Sequence, residues 1–121
     1  MENKKTLVLG VSPNPLRYSH KAVKRLMEYK IEVHGISKYP TTVDDLEVKK
    51  ELYDIPDLHT IALYLNATNQ KEYYDYILSL KPKRIVFNPG THNEELEELA
   101  EKEGIECVRD CVLVMLRSHN Y

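Results

Sequence analysis

A chain of 121 residues is long enough to form one domain with its own hydrophobic core and too short to form two. Hydrophobic residues make up 42% of the chain and charged residues 30%, a balance that excludes a disordered tail and a membrane-spanning protein. Seventeen basic and nineteen acidic residues give a formal net charge of -2 at pH 7, which argues against sequence-independent nucleic-acid binding. We therefore expect a single domain over residues 1–121 with neither a nucleic-acid nor a membrane partner.

The amino-terminal segment predicts a cytoplasmic protein, and the cysteine spacing predicts free thiols. The apolar segment that follows the first five residues is only six residues long, too short for the core of a secretory signal. Cys107 and Cys111 have three residues between them, a spacing that matches neither a redox C-x-x-C pair nor a zinc knuckle. We expect two reduced, partly buried thiols and no metal site.

Strand and helix patterns alternate along the chain. Apolar segments predict strands at residues 6–11, 31–36, 60–65, 84–87 and 105–108. The first is a continuous apolar run, which is typical of a parallel strand covered on both faces. A helix is predicted to begin near Ser19, because Ala22, Val23 and Leu26 then share one face.

Two helices are predicted between the second and fourth strands. A short helix is expected at residues 49–53, in a segment whose pattern is less regular. After the third strand, Asn69 is the predicted cap of a longer helix, with Glu72 three residues on. Pro82 is expected to end that helix, because proline cannot continue the helical hydrogen bonds.

The last third of the chain completes the alternation. A capping box at residues 91–94 predicts the start of a helix that Gly104 ends. The apolar run at residues 112–116 fits either a final short helix or an edge strand. Such alternation predicts a three-layer, doubly wound, Rossmann-like α/β domain with a mostly parallel five-stranded sheet. Ligands of such domains bind beyond the carboxyl ends of the strands, where the strand order reverses.

The loop after the first strand has the composition of a phosphate site. It leads into a helix, whose free N–H groups and dipole favour an anion, and Arg17 and Lys21 add positive charge. It is not a G-x-G-x-x-G loop, because Pro13 and Pro15 stand where glycines would let the backbone approach a pyrophosphate. A rigid loop that merely precedes a well-capped helix is the alternative.

Several segments, in this order along nearly the whole chain, resemble one family. They are residues 8–15 (VLGVSPNP), 53–56 (YDIP), 88–95 (NPGTHNEE), Ala100, 104–105 (GI) and 110–111 (DC). The chain resembles the small single-domain CoA-binding family, relatives of the nucleotide-binding domain of the succinyl-CoA synthetase alpha subunit. The resemblance implies CoA or acyl-CoA as the ligand.

The resemblance also implies where the ligand lies. The pyrophosphate would contact the first loop and helix start at Gly10, Ser12, Pro13, Asn14, Pro15, Arg17, Ser19 and Lys21. The adenosine end would lie on the loop after the second strand, at Ser37, Lys38 and Tyr39. The pantetheine arm would pass Asn88, Pro89 and Gly90, and Asn66 after the third strand completes the set.

The adenosine loop departs from the family pattern. Many members carry Asn-Pro with a following Lys there, whereas this chain has Ser37, Lys38 and Tyr39. Lys38 could reach a phosphate as a flexible point charge, and Tyr39 offers a face for adenine stacking. A solvated loop is the alternative for both residues.

The resemblance implies binding without catalysis. The synthetase alpha subunit has a second domain with a histidine that takes phosphate, and we expect no counterpart of that domain here. His20 could donate to a phosphate, whereas His92 is expected at the surface. One alternative is an acyl-transferring or thiol enzyme that uses Cys111 with CoA as cosubstrate.

A regulatory role is the other alternative. In it, the protein would sense a metabolite through another nucleotide such as NAD(P) and act on a protein partner. Tyr73, Tyr74 and Tyr76 offer a surface for such a partner or for a homo-oligomer, although such tyrosines more often cover a sheet.

Overall fold

The computed structural model describes residues 3–121. The strands are β1 (Thr6–Leu9), β2 (Val33–Ile36), β3 (Thr41–Val43), β4 (Leu46–Val48), β5 (Thr60–Leu63), β6 (Arg84–Phe87) and β7 (Glu106–Arg109). The helices are α1 (Tyr18–Glu28), α2 (Ala67–Gln70), α3 (Tyr74–Ser79), α4 (Glu94–Lys102) and α5 (Val112–Arg117), with a 3-10 turn at Lys71–Tyr73 between α2 and α3. None of the helices within residues 3–121 has the length and apolar character needed to cross a bilayer.

Five strands form a parallel sheet in the order β2-β1-β5-β6-β7. From β1 the chain first moves outward to β2 and later returns to place β5 on the other side of β1. The strand order therefore reverses between β1 and β5, and the carboxyl ends of these two strands flank the switch point. The doubly wound, Rossmann-like architecture predicted from the sequence is confirmed.

Both faces of the sheet are covered, which explains the continuous apolar strand pattern. Leu7 and Leu9 of β1 point into one core cluster, together with Leu96 of α4. Val8 points into the opposite cluster, where it meets Ala22 of α1 and other residues of α1 and α5. Alternate residues of one strand thus enter different cores, and both sets must be apolar.

The prediction of a helix at residues 49–53 is wrong. Strands β3 and β4 form an antiparallel hairpin directly before this segment, and Asp44 adopts a positive φ of 52° at its turn. Lys49 then pairs with the edge of β2, donating its N–H to the Gly35 carbonyl and accepting from the Ser37 N–H. Those edge hydrogen bonds, together with burial of Val43 and Val48, stabilise an extended backbone instead of a helix.

Two predicted helix caps move by a few residues. Asn66, and not Asn69, caps α2, because its Oδ1 accepts the Asn69 N–H at 2.9 Å. Asn93, and not Thr91, caps α4, because its Oδ1 accepts the Leu96 N–H at 3.2 Å. Either residue of each pair suits an N-cap chemically, and the path of the incoming chain decides between them.

Candidate functional site

Gly10 lies directly after β1, at the switch point. Its φ is +100°, a backbone conformation that residues with a side chain rarely adopt. A Cβ here would lie 2.9 Å from Cγ and Cδ2 of Leu65 and 3.2 Å from the backbone carbonyl carbon of Tyr64. The segments after β1 and β5 approach each other closely only because position 10 is glycine.

The proline-rich loop after Gly10 is braced by its own side chains. Ser12 donates its N–H to the Ser19 Oγ at 2.9 Å, and its own Oγ accepts the Asn14 N–H at 3.1 Å. Asn14 Oδ1 accepts the Leu16 N–H at 3.0 Å. His20 Nδ1 lies 2.9 Å from the Ser12 carbonyl; because a carbonyl only accepts, this nitrogen carries the proton. The loop is therefore a fixed wall.

The start of α1 presents free amide hydrogens. Its N-cap, Arg17, is extended (φ -80°, ψ 147°) and makes no capping hydrogen bond with its side chain, and no acidic residue lies in the first turn. Within residues 3–121, no acceptor contacts the N–H groups of Tyr18, Ser19 and His20. These N–H groups and the helix dipole form a site for a negatively charged group.

A cavity of about 660 Å³ opens beside this helix start. Its charged lining residues are Arg17 and Lys38, and no carboxylate lines it within residues 3–121. Arg17 makes no ion pair within the same range of residues. The cavity thus has a positive lining in a chain whose net charge is -2, and this favours an anionic ligand.

The loop after β2 closes one side of the cavity. Ser37 is buried, and its Oγ accepts the Tyr39 N–H at 3.1 Å. Lys38 Nζ lies 2.9 Å from Oε1 of Glu72, and this bond raises the pKa of the Lys38 ammonium. Tyr39 is 72% exposed, so its ring stands open at the cavity rim.

Many of the residues that the resemblance assigned to the ligand do meet in this cavity. They are Gly10, Ser12, Pro13, Arg17, Ser19, Ser37, Lys38, Tyr39 and Pro89. Asn14 and Pro15 lie on the exposed side of the loop, and Lys21 lines a separate groove between α1 and α5. Gly90 is exposed as well.

Two of the asparagines assigned to the ligand form hydrogen bonds to backbone groups instead. Asn66 caps α2. Asn88 is 3% exposed, and its amide donates to the Leu63 carbonyl at 3.1 Å and accepts the Val112 N–H at 2.9 Å. Because both ends of its amide are occupied, Asn88 ties the end of β5 to the start of α5 and lies outside the cavity lining.

Other lining residues were not predicted from the sequence. They are Val11, Tyr18, Tyr64, Leu65, Asn69 and Tyr73. Most are apolar or aromatic residues, which a sequence pattern assigns to the core. The position of residues 64–65 directly after a strand is the signal that could have found two of them, because ligands bind beyond strand ends.

The cysteines and His92 lie outside the cavity lining. Burial raises the pKa of the Cys107 thiol to about 11, so this thiol stays protonated and unreactive at neutral pH. Cys111 is partly buried just before α5. His92 Nε2 lies 3.0 Å from Oε1 of Glu97, which Arg109 also contacts.

The fold and the cavity together define a class of protein: a doubly wound domain with a positively lined crevice at its switch point, the place where such domains bind their ligands. A family model described as the CoA binding domain matches residues 4–117, and the chain therefore belongs to this CoA-binding family. The family expected from the sequence motifs is confirmed.

Two solved structures share this fold over nearly the whole chain. An uncharacterized protein is 43% identical over 100% of both chains, with a TM-score of 0.97. A hypothetical protein from Pyrococcus horikoshii OT3 is 27% identical over 97% of this chain and 82% of that chain, with a TM-score of 0.82.

A longer enzyme shares the fold. It is the dinucleotide-forming acetyl-coenzyme A synthetase 1 of Ca. Korarchaeum cryptofilum, solved with phosphate and ADP. It is 19% identical over 89% of this chain and 26% of its own, with a TM-score of 0.71. No curated protein matches the chain.

Proposed function

We propose that this protein binds CoA or acyl-CoA in the switch-point cavity and performs no chemistry on it. One observation carries the proposal: the free N–H groups at the start of α1 adjoin a cavity with two cationic side chains and no carboxylate among the described residues. A diphosphate supplies acceptor oxygens for these N–H groups and negative charge for the two cationic side chains.

The pyrophosphate would bind at the start of α1. Tyr18 and Ser19 line the cavity, and their N–H groups would donate to phosphate oxygens. The Arg17 guanidinium, which has no carboxylate partner among residues 3–121, would add charge-assisted hydrogen bonds. Since the loop is already braced by Ser12 and Ser19, little conformational entropy would be lost on binding.

The adenosine end would lie against the loop after β2. Tyr39 is exposed at the rim and supplies a stacking face for adenine. NAD-binding domains use an acidic side chain near this position to bind the ribose hydroxyls. This chain has Ser37 and Lys38 instead, and a lysine favours a phosphorylated ribose such as that of CoA.

The remaining lining supports a binding role without catalysis. Leu65 and Pro89 offer apolar contacts for the pantetheine arm. Histidines and carboxylates are the most frequent general acids and bases, and neither type of side chain lines the cavity within residues 3–121. We therefore expect acetyl-CoA to survive incubation with the protein at its rate of hydrolysis in buffer alone.

A thermal-shift panel tests the proposed ligand. CoA, acetyl-CoA, dephospho-CoA, NAD, NADP and ATP are compared, because a ligand that binds only the native state stabilises it by about 2.7 kcal/mol at a concentration of 100 times Kd. We expect CoA and acetyl-CoA to give the largest rise in melting temperature. No shift with CoA, or a larger shift with NAD or ATP, would contradict the proposal.

A matched pair of arginine variants tests the pyrophosphate position. Arg17→Gln should weaken CoA binding about tenfold or more, because one charge-assisted hydrogen bond contributes about 1.5–3 kcal/mol. Arg25→Gln is the control, since Arg25 pairs with Glu28 on the solvent side of α1 and lines a different groove. Equal losses in the two variants would indicate a general charge effect and refute the assignment of Arg17.

A further inference from the structure

A second cavity adjoins the first. Its volume is about 510 Å³, and it is lined by Lys38, Tyr39, Lys50, Leu52, Glu72 and Tyr73. Three of these residues, Lys38, Tyr39 and Tyr73, also line the switch-point cavity. The two spaces are therefore neighbours with a common wall, and the side chain of Lys38 belongs to that wall.

Glu72 forms an ion pair with the ammonium group of Lys38. Oε1 of Glu72 lies 2.9 Å from Nζ of Lys38, and the two side chains are 52% and 51% exposed. Lys38 follows β2, whereas Glu72 lies in the 3-10 turn between α2 and α3. Among residues 3–121, Glu72 is the one carboxylate that lines either cavity. The ion pair thus places negative charge where the proposed ligand would bring its own.

We propose that Glu72 determines selectivity by competing with a phosphate on the ligand's ribose for Lys38, an inference that rests on the proposed CoA binding. A lysine ammonium is a flexible point charge, and it is attracted to a carboxylate or to a phosphate. To use Lys38, the ligand phosphate must displace Glu72 and then remain near that like charge. Glu72 therefore reduces the preference for a phosphorylated ribose.

Lys50 strengthens this reasoning. It lines the same second cavity and forms no ion pair within residues 3–121. Once the Lys38–Glu72 bond opens, a phosphate at the common wall would face two ammonium groups and one carboxylate. Removing the carboxylate leaves both cations for the phosphate, so the affinity for CoA rises and the affinity for dephospho-CoA does not.

The test is a comparison of Kd values for CoA and dephospho-CoA by isothermal titration calorimetry. An exposed ion pair contributes modestly, so Glu72→Gln should raise the ratio of the two affinities about two- to fivefold. Lys38→Gln should lower that ratio, and Glu72→Gln should have a smaller effect in the Lys38→Gln background. The gain should also shrink as salt concentration rises.

Glu47→Gln is the matched control. This substitution removes the same single negative charge. Oε1 of Glu47 lies 3.7 Å from Nζ of Lys49, and both residues line another cavity. The ratio should stay at the wild-type value in this variant. If wild-type protein fails to bind CoA, the proposed function is refuted and this inference with it. If wild-type protein binds CoA but Glu72→Gln leaves the ratio unchanged, or Glu47→Gln changes it equally, the inference alone is refuted.

Discussion

Replacing Gly10 by alanine tests whether the close approach of the β1 and β5 segments builds the site. The new methyl carbon would lie 2.9 Å from the Leu65 side chain and 3.2 Å from the Tyr64 carbonyl carbon. Leu65 could rotate, but the backbone of Tyr64 could move only together with the β5 segment. The substitution should therefore strain the backbone and overfill the contact.

The expected magnitude follows from these two effects. A residue with a side chain at a φ of +100° costs about 1–3 kcal/mol, and overpacking costs about another 1–3 kcal/mol. Alanine also restricts the unfolded chain, which returns about 0.4–1 kcal/mol. We expect Gly10→Ala to lower the free energy of unfolding by about 1–6 kcal/mol, compared with the 5–15 kcal/mol typical of a native domain.

Gly104→Ala is the matched control for backbone strain alone. Gly104 has a φ of +78°, and nothing lies within 4 Å of a Cβ built there. This variant should lose about 1–2 kcal/mol. Urea unfolding followed by far-UV circular dichroism suits both variants, since the chain has no tryptophan. Equal losses in the two variants would refute the claim that position 10 is a tight contact.

Three further predictions concern residues outside the cavity lining. Asn88→Ala should lower the free energy of unfolding by about 2–4 kcal/mol, because it leaves two buried backbone groups unpaired, and a loss below 1 kcal/mol in urea melts would contradict this. The hydrogen bonds from Arg109 hold the pKa of Glu97 below its usual value of 4.5; the stability that this carboxylate contributes is therefore present above pH 4.5 and is lost as the pH falls through the folded pKa. The difference in unfolding free energy between wild type and Glu97→Gln should accordingly shrink below pH 4.5, and a constant difference would contradict the pairing. Because burial raises the pKa of Cys107 to about 11, iodoacetamide at pH 8 should label this thiol more slowly in native than in urea-unfolded protein, and equal labelling by mass spectrometry would contradict its burial.

The fold was largely predictable because its strands are buried on both faces. Residues 6–11 could not be apolar throughout in a half-exposed strand, so the pattern itself indicated a central parallel strand. The neighbours of that strand were not encoded in any local pattern. The strand next to β1 is β5 and not β6. This order depends on how the crossover helices pack, and it determines where the switch point lies.

The hairpin of β3 and β4 shows where local reasoning failed. Residues 41–48 read TTVDDLEV, a segment too short and too polar to give a clear period. Paired aspartates such as Asp44 and Asp45 are also common at a helix start, whereas Asp44 adopts the positive φ of a tight turn. Aspartate is common both at helix starts and in tight turns. The turn forms here because backbone groups at the edge of β2 hydrogen-bond to Lys49, the residue that follows β4.

The site was predictable where polar chemistry marked it. The loop with Ser12 and the helix start with Ser19 carried a recognisable phosphate-site composition. The apolar walls did not, because Leu65 and Tyr73 have the same character as core residues. The bond between Lys38 and Glu72 joins positions that are 34 residues apart, and no short-range pattern relates them.

The central claim is that a diphosphate binds the free N–H groups at the start of α1. Its most direct test is a titration of ¹⁵N-labelled protein with CoA, followed by two-dimensional ¹H–¹⁵N correlation spectra. We predict that the amide resonances of Tyr18, Ser19 and His20 shift most, and that inorganic pyrophosphate shifts the same resonances. Saturable binding of CoA that leaves these three resonances in place would contradict the account.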